Sequence, residues 1–285
     1  MMTLVSILSL VVLWPSAQLH SPNEMGVSMG QVFTIVRDVE TTERFWILMG
    51  GIPLKVDGVD VIKFPGVLIF LRTGEPSGGT TGTVVDHIGF HVPNGEELVA
   101  KLRAAGVKMD SNTGTRRKST WGNVYSPDGV KVEILDSTRS TAAIGTSGVP
   151  APSPLLGSIA SDHIHFFVPE SSLAEIQAWY AKTFGAKAFV DPVSASSDAV
   201  RADNIPGVEL KFSKSPDSPA PTKGRAVDHI GFEVKNLELF CKKLEASGVT
   251  FDLPYSKTRR ESYASAELVD PWGTSIELTE GLNKL

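Results

Sequence analysis

The feature that most constrains this chain is an internal repeat. The segment VDHIGFHV at Val85 to Val92 returns as VDHIGFEV at Val227 to Val234. The match continues in order on both sides. PGVLIF (Pro65 to Phe70) pairs with PGVELKF (Pro206 to Phe212), and LRAAGV (Leu102 to Val107) with LEASGV (Leu244 to Val249). Thr115-Arg116-Arg117 pairs with Thr258-Arg259-Arg260, and SPDGVKVEIL (Ser126 to Leu135) with DPWGTSIELT (Asp270 to Thr279). His87 and His229 are 142 residues apart, Glu133 and Glu277 144 apart. Collinear self-similarity at one nearly constant spacing means that one fold is built twice.

The stretch from Ser137 to Ser158 is rich in Ser, Thr, Gly and Pro and has no apolar periodicity, which marks a linker. The chain therefore divides into an N-terminal module over 29–137, a linker over 138–158 and a C-terminal module over 159–282. Ahead of them, Leu4 to Trp14 is an apolar run of 11 residues. It is short of the roughly 20 residues that span a bilayer, so no stable membrane span is expected. Pro15, Ser16 and Ala17 follow it, as in the hydrophobic region and cleavage zone of a signal peptide, although no basic residue precedes it. Residues 1–26 are read as a signal peptide or N-terminal extension. The protein is expected to be exported, periplasmic or secreted, if that leader works, and cytoplasmic otherwise.

Within the C-terminal module the pattern reads strand, helix, several strands, then the same again. HIHFFV (His163 to Val168) is a strand, and Ser172 to Glu175 reads as a capping box. Behind it Leu173, Ile176, Tyr180 and Phe184 form a helical stripe that Gly185 ends. VELKF and VDHIGFEV are further strands. Asn236 is expected to cap a second helix carrying Leu237, Phe240, Cys241 and Leu244 on one face, and TSIELTE closes the module. The expected fold is α+β, a tandem of modules, each made of two βαβββ motifs forming a half-open β-barrel.

At 41% hydrophobic residues the 285-residue chain can bury a substantial core. A net charge of −5 with no basic block gives nucleic acid no foothold. Cys241, the lone cysteine, excludes an intramolecular disulfide and a thiolate metal cluster, and on its apolar stripe it reads as core. Metal chemistry must then use histidines and carboxylates. In the C-terminal module four such residues stand on strands where apolar ones would pack better: His163, Glu209, His229 and Glu277. Two imidazoles and two carboxylates suit one divalent ion, Zn, Ni, Fe, Co or Mn, with positions left for substrate. Glu209 also alternates with Lys211, so a solvated Glu/Lys stripe is the competing reading. His165, two residues beyond His163 on the same strand face, is read as a pocket residue beside the substrate or an alternative ligand, with a place behind the ligands as the expectation. Asp86, Asp162 and Asp228 precede their histidines and are expected to face away.

The double βαβββ pattern, the DHIGF strands and the DPxGxxIEL-like ending resemble the vicinal oxygen chelate superfamily. It includes glyoxalase I, extradiol dioxygenases, methylmalonyl-CoA epimerase, and fosfomycin and bleomycin resistance proteins. The resemblance to bacterial glyoxalase I implies that His163, Glu209, His229 and Glu277 are the ligands and that Arg225 contacts a thiol substrate. The N-terminal equivalents, Gln31, Leu68, His87 and Glu133, then make a degenerate second site, since Leu68 cannot bind metal. Halves of two modules can exchange partners in this superfamily, which would set His87 and Glu133 against His163 and Glu209. The unexchanged pairing is the expectation here.

The function expected from the resemblance is that of a glyoxalase I-like lyase or isomerase acting on a small substrate with vicinal oxygens. Glu277 or Glu209 would move a carbon-bound proton. Arg259 and Arg260, near Lys257, either clamp an anionic substrate or form a solvated basic loop. Phe167 and Ser213 stand where glyoxalases carry Arg and Asn for glutathione, which argues against glutathione as the acceptor. The alternatives are an extradiol-type dioxygenase, against which Glu267 stands in place of a tyrosine, and a non-catalytic binding or resistance protein.

Overall fold

The computed structural model describes residues 19–115, 120–136, 159–189, 200–215 and 217–285. The leader run Leu4 to Trp14, Arg116 and Arg117, and the linker to Ser158 lie outside the described residues. The first half-module is β1 (Val27–Val36), α1 (Val39–Leu48), β2 (Ile52–Val56), β3 (Val59–Phe64) and β4 (Val67–Thr73). The second is β5 (Val85–Val92), α2 (Gly95–Ala104), β6 (Thr120–Tyr125) and β7 (Lys131–Asp136). An isolated bridge between Met109 and Val124 stands where its remaining strand would be. The third is β8 (Ala160–Val168), α3 (Leu173–Phe184), β9 (Lys187–Phe189), β10 (Val200–Ile205) and β11 (Val208–Lys214). The fourth is β12 (Val227–Val234), α4 (Leu237–Ala246), β13 (Phe251–Ser256), β14 (Ala264–Val269) and β15 (Ser275–Glu280). This is the α+β tandem of βαβββ motifs that the repeat predicts.

The halves pair across modules, contrary to the unexchanged expectation. One sheet of eight strands runs β13-β14-β15-β12-β1-β4-β3-β2, and one of seven runs β6-β7-β5-β8-β11-β10-β9. β1 meets β12 antiparallel, with Phe33 opposite His229, and β5 meets β8 antiparallel, with His87 opposite His165. Either pairing buries the same apolar faces, because the halves repeat, so hydrophobic alternation cannot choose between them. The two segments that cross between sheets lie against each other. Val84 N–H donates to Ala220 O at 2.9 Å, Ser77 N–H to Gly224 O at 2.8 Å and Ala226 N–H to Gly78 O at 2.9 Å. Crossing in this paired fashion satisfies backbone groups that two separate turns would have to bond elsewhere.

One face of each sheet enters a shared core. The predicted helical stripes are buried there: Leu173, Ile176, Tyr180 and Phe184 on α3, and Leu237, Phe240, Cys241 and Leu244 on α4. Aromatic pairs tie the layers together, Phe64 of β3 to Phe90 of β5 and Phe184 of α3 to Phe232 of β12, both with ring centroids 4.8 Å apart. Two caps differ from expectation. Ser172 ends a 3-10 turn in helical φ/ψ, so its hydroxyl makes no capping bond. Asn236 sits in the left-handed region at φ 56°, and Glu280 accepts the N–H groups of Asn236 and Leu237 instead. A carboxylate at a helix start does the same work from across the fold. With the core on one side, the opposite face of each sheet is left for the repeated polar residues.

Candidate metal centre

On the seven-stranded sheet, four adjacent strands each contribute one residue of the repeated set: Glu133 from β7, His87 from β5, His163 from β8 and Glu209 from β11. Glu209 lies directly opposite His163 in the parallel pairing, so their side chains rise from the same face. Glu133 lies opposite Gly89, one alternation on from His87. The Glu133 Oε2 is 3.3 Å from His163 Nε2 and 3.5 Å from His87 Nε2. His165 joins them, its ring centroid 4.6 Å from that of His87 and 5.8 Å from that of His163. Ring nitrogens of His87, His163 and His165 all lie within 4.8 Å of one another.

Two features of the DHIGF motif build this cluster. A Cβ on Gly89 would collide with the His163 imidazole, so glycine there is what admits the ring. The aspartates do not face away. Asp86 Oδ1 accepts from His87 Nδ1 at 2.7 Å, and Asp162 Oδ2 accepts from His163 Nδ1 at 2.6 Å. An ionised carboxylate can only accept, so each Nδ1 carries a proton and each Nε2 is turned toward the cluster. Basic side chains hold the carboxylates from behind: Lys131 Nζ is 2.8 Å from Asp86 and His91 Nε2 2.5 Å from Asp162. Sequence reasoning missed this layer. Its signal was the Asp-His pair occurring three times.

Electrostatics follow from these contacts. Burial alone would push the Glu133 carboxyl up, but its contacts with His163 and His87 outweigh that and hold it well below the usual range. Burial lowers His87, yet Asp86 and Glu133 prevail and raise it. His165 is driven well down, first by burial and then by the charges of His87, His163 and Lys211. Glu209 is buried with Lys211 Nζ 3.6 Å away, which removes the solvated-stripe reading. The His163 Nε2 is buried with no hydrogen-bond partner. An orphaned imidazole nitrogen, fixed in tautomer and facing a carboxylate, is the donor arrangement that a divalent ion takes. The residues fit such an ion.

The predicted ligand set is therefore divided. His163 and Glu209 are on the seven-stranded sheet, while His229 and Glu277 are on the eight-stranded one, because the exchange carries β12 and β15 to β1. There His229 Nε2 is 3.4 Å from Glu277 Oε2, Gln31 Nε2 donates to Glu277, and Asp228 accepts from His229 Nδ1 at 2.7 Å. Leu68 occupies the fourth position, and Phe33, Leu68, Phe70, Val61, Tyr263 and Leu282 pack as an apolar cluster. Phe33 stacks on His229 with centroids 4.5 Å apart. The incomplete set is thus Gln31, Leu68, His229 and Glu277, and the complete one His87, Glu133, His163 and Glu209. The expectation that Gln31, His87 and Glu133 share one degenerate site is corrected in the same way. Glu277 is fully buried, its Oε2 accepting from Gln31 while its Oε1 has no hydrogen-bond partner.

Two of the three arginines bond to backbone carbonyls. Arg225 Nε donates to Gly79 O at 3.2 Å, in the crossing segments. Arg259 donates to Ser265 O at 3.0 Å and Pro254 O at 2.7 Å, bracing its own loop. Arg260 lies near Asp57 and Tyr263 on the eight-stranded sheet, away from the complete set.

Two half-modules from different sequence modules form one sheet that carries a His/Glu cluster. Residues 161–278 match the model of the Glyoxalase/Bleomycin resistance protein/Dioxygenase superfamily, and the chain carries a domain of that superfamily. Among solved structures, glyoxalase I from Zea mays is 13% identical, covering 90% of this chain and 94% of its own, with a TM-score of 0.60. A mutant form of the same maize enzyme gives 12%, 91%, 95% and 0.62. A dioxygenase candidate from Bacillus subtilis gives 12%, 93%, 86% and 0.62. At these identities the likeness is one of fold. No curated protein matches the sequence. The matched segment supplies half of each sheet, so the sequence module and the site-bearing unit do not coincide. Among the described residues no helix is long and apolar enough to cross a membrane.

Proposed function

We propose that the chain is a metal-dependent enzyme of the glyoxalase I type, a lyase or isomerase with one active centre, on the seven-stranded sheet. The observation that carries this reading is the convergence of Glu133, His87 and His163 on one point, with Asp86 and Asp162 fixing both imidazoles. A divalent ion held there would supply Lewis acidity to two neighbouring oxygens of a small substrate. Glu209, across the histidines from Glu133, takes the proton from the carbon beside those oxygens and returns it to the adjacent carbon. Lys211 Nζ, 3.6 Å away, balances the charge of that carboxylate.

Phe167 stacks on His165 with centroids 5.0 Å apart, and Ser213 Oγ lies 2.7 Å from His165 Nε2. Both side chains are engaged with His165, and neither supplies the charged or amide group that a glutathione site would use, so the acceptor is a small oxygenated compound or a short thiol adduct. The test is proton exchange in D2O with methylglyoxal hemithioacetals of several thiols, on protein loaded with Zn, Ni or Co. Isomerisation that Glu209→Gln abolishes supports the reading. Oxygen consumption with catechols instead would move the chain to the dioxygenases.

A further inference from the structure

We infer that His165 is a metal donor, making the first coordination set three imidazoles and one carboxylate (His87, His163, His165 and Glu133) and leaving Glu209 off the ion. This rests on the proposed metal centre and assigns its donors. Each of the three histidines has one ring nitrogen tied to a protein oxygen and the other turned inward. His87 and His163 give Nδ1 to Asp86 and Asp162; His165 places Nε2 2.7 Å from Ser213 Oγ. That is how protein scaffolds fix imidazole ligands. The inward nitrogens are Nε2 of His87 and His163 and Nδ1 of His165, which stands 3.2 Å from His87 Nε2.

In the free protein that 3.2 Å contact is a hydrogen bond. With His87 neutral and its one proton on Nδ1, His165 Nδ1–H donates to His87 Nε2, and the Ser213 hydroxyl donates to His165 Nε2. When an ion takes both inward nitrogens, the His165 proton moves to Nε2, and Ser213 Oγ, which can equally accept, receives it. The Ser213 hydroxyl therefore serves His165 in both states. Glu209 is placed differently. It lies on β11, at the far edge of the row from Glu133, where the Lys211 ammonium already stands 3.6 Å from its carboxylate. Three neutral imidazoles also favour borderline ions such as Zn, Co or Ni over the oxygen-seeking Mg and Mn.

The experiment is titration of the full chain with Co(II), read by its visible absorption bands and by X-ray absorption counting of imidazole ligands. It is repeated for His165→Ala, His165→Asn, Ser213→Ala and Glu209→Gln after thermal melts of the metal-free proteins. The assignment predicts three imidazoles on Co(II) in the wild type and at least about tenfold weaker binding in both His165 variants. Ser213→Ala should weaken binding less, and Glu209→Gln should leave spectrum and affinity unchanged. Two imidazoles, with binding unchanged in His165→Asn and lost in Glu209→Gln, would overturn the assignment while leaving the metal centre standing. A wild type that takes up no Co(II) would overturn both.

Discussion

His163 Nε2 stands 3.3 Å from Glu133 Oε2, although the two residues belong to different sequence modules. The contact exists because β8 joins β5 and β7 rather than β12 and β15. It places the complete polar set on one sheet and leaves the other with Gln31, Leu68, His229 and Glu277. The molecule therefore has two equivalent faces of unequal chemistry.

Gly89 and Gly231 are repeat-equivalent glycines with different neighbours. A Cβ at Gly89 strikes the His163 ring, and one at Gly231 strikes the Gln31 side chain. Both Gly→Ala variants should lose about 1–3 kcal/mol of stability through overpacking. Only Gly89→Ala should also lose metal binding and activity. Equal functional loss in the two variants, measured by metal titration beside urea unfolding, would contradict the assignment.

The layer behind the donors should matter nearly as much as the donors. Asp162→Asn keeps the shape but replaces an acceptor-only carboxylate with a neutral amide that can also donate, so the His163 tautomer is no longer fixed, and should weaken metal affinity about 10–100-fold. Asp228→Asn, behind the histidine of the incomplete set, should leave metal affinity untouched. Competition against a chromophoric chelator reads both values directly.

His229 should give the eight-stranded sheet a pH-dependent stability. Burial pulls its pKa down, but Asp228 and Glu277 outweigh that and raise it to about 9. A group whose folded pKa exceeds its unfolded one binds its proton more tightly when folded. Its contribution is full below the unfolded value near 6.5 and disappears as pH climbs through 9. A shift of this size corresponds to about 3 kcal/mol. The wild type should lose that much more stability than His229→Leu between about pH 6 and pH 10 in urea titrations. Parallel pH profiles for the two proteins would contradict the pairing.

Cys241 should be inert in the folded protein. It lies in the α4 stripe at 2% exposure, and burial pushes its thiol up to about 12. The thiolate is the reactive form, so labelling by a disulfide reagent at neutral pH should be negligible until denaturant is added. Rapid labelling of the native chain would show that α4 opens.

The sequence displays the fold readily because the repeat is explicit and the stripes of α3 and α4 have clear helical spacing. It also displays the types of site residue, since His87, Glu133, His163 and Glu209 all stand on strands at equivalent places. It does not display which of them meet. β1 can satisfy its edge against either its own module or the next, and the burial pattern is the same both ways. The aspartates depart from expectation for a different reason. Strict alternation would turn Asp86 away from His87, but register shifts flank His87 in the β5–β8 pairing, and a bulge breaks alternation. Ser172 shows the limit of a motif read locally, since the 3-10 turn before α3 takes the place that its hydroxyl would cap.

The proposed metal centre is one per chain and belongs to the seven-stranded sheet. Metal content per chain, measured on protein purified without chelator, tests it most directly in the wild type, His163→Ala and His229→Ala. One divalent ion per chain is expected in the wild type and in His229→Ala, and none in His163→Ala. An ion that survives in His163→Ala but leaves with His229 would contradict it.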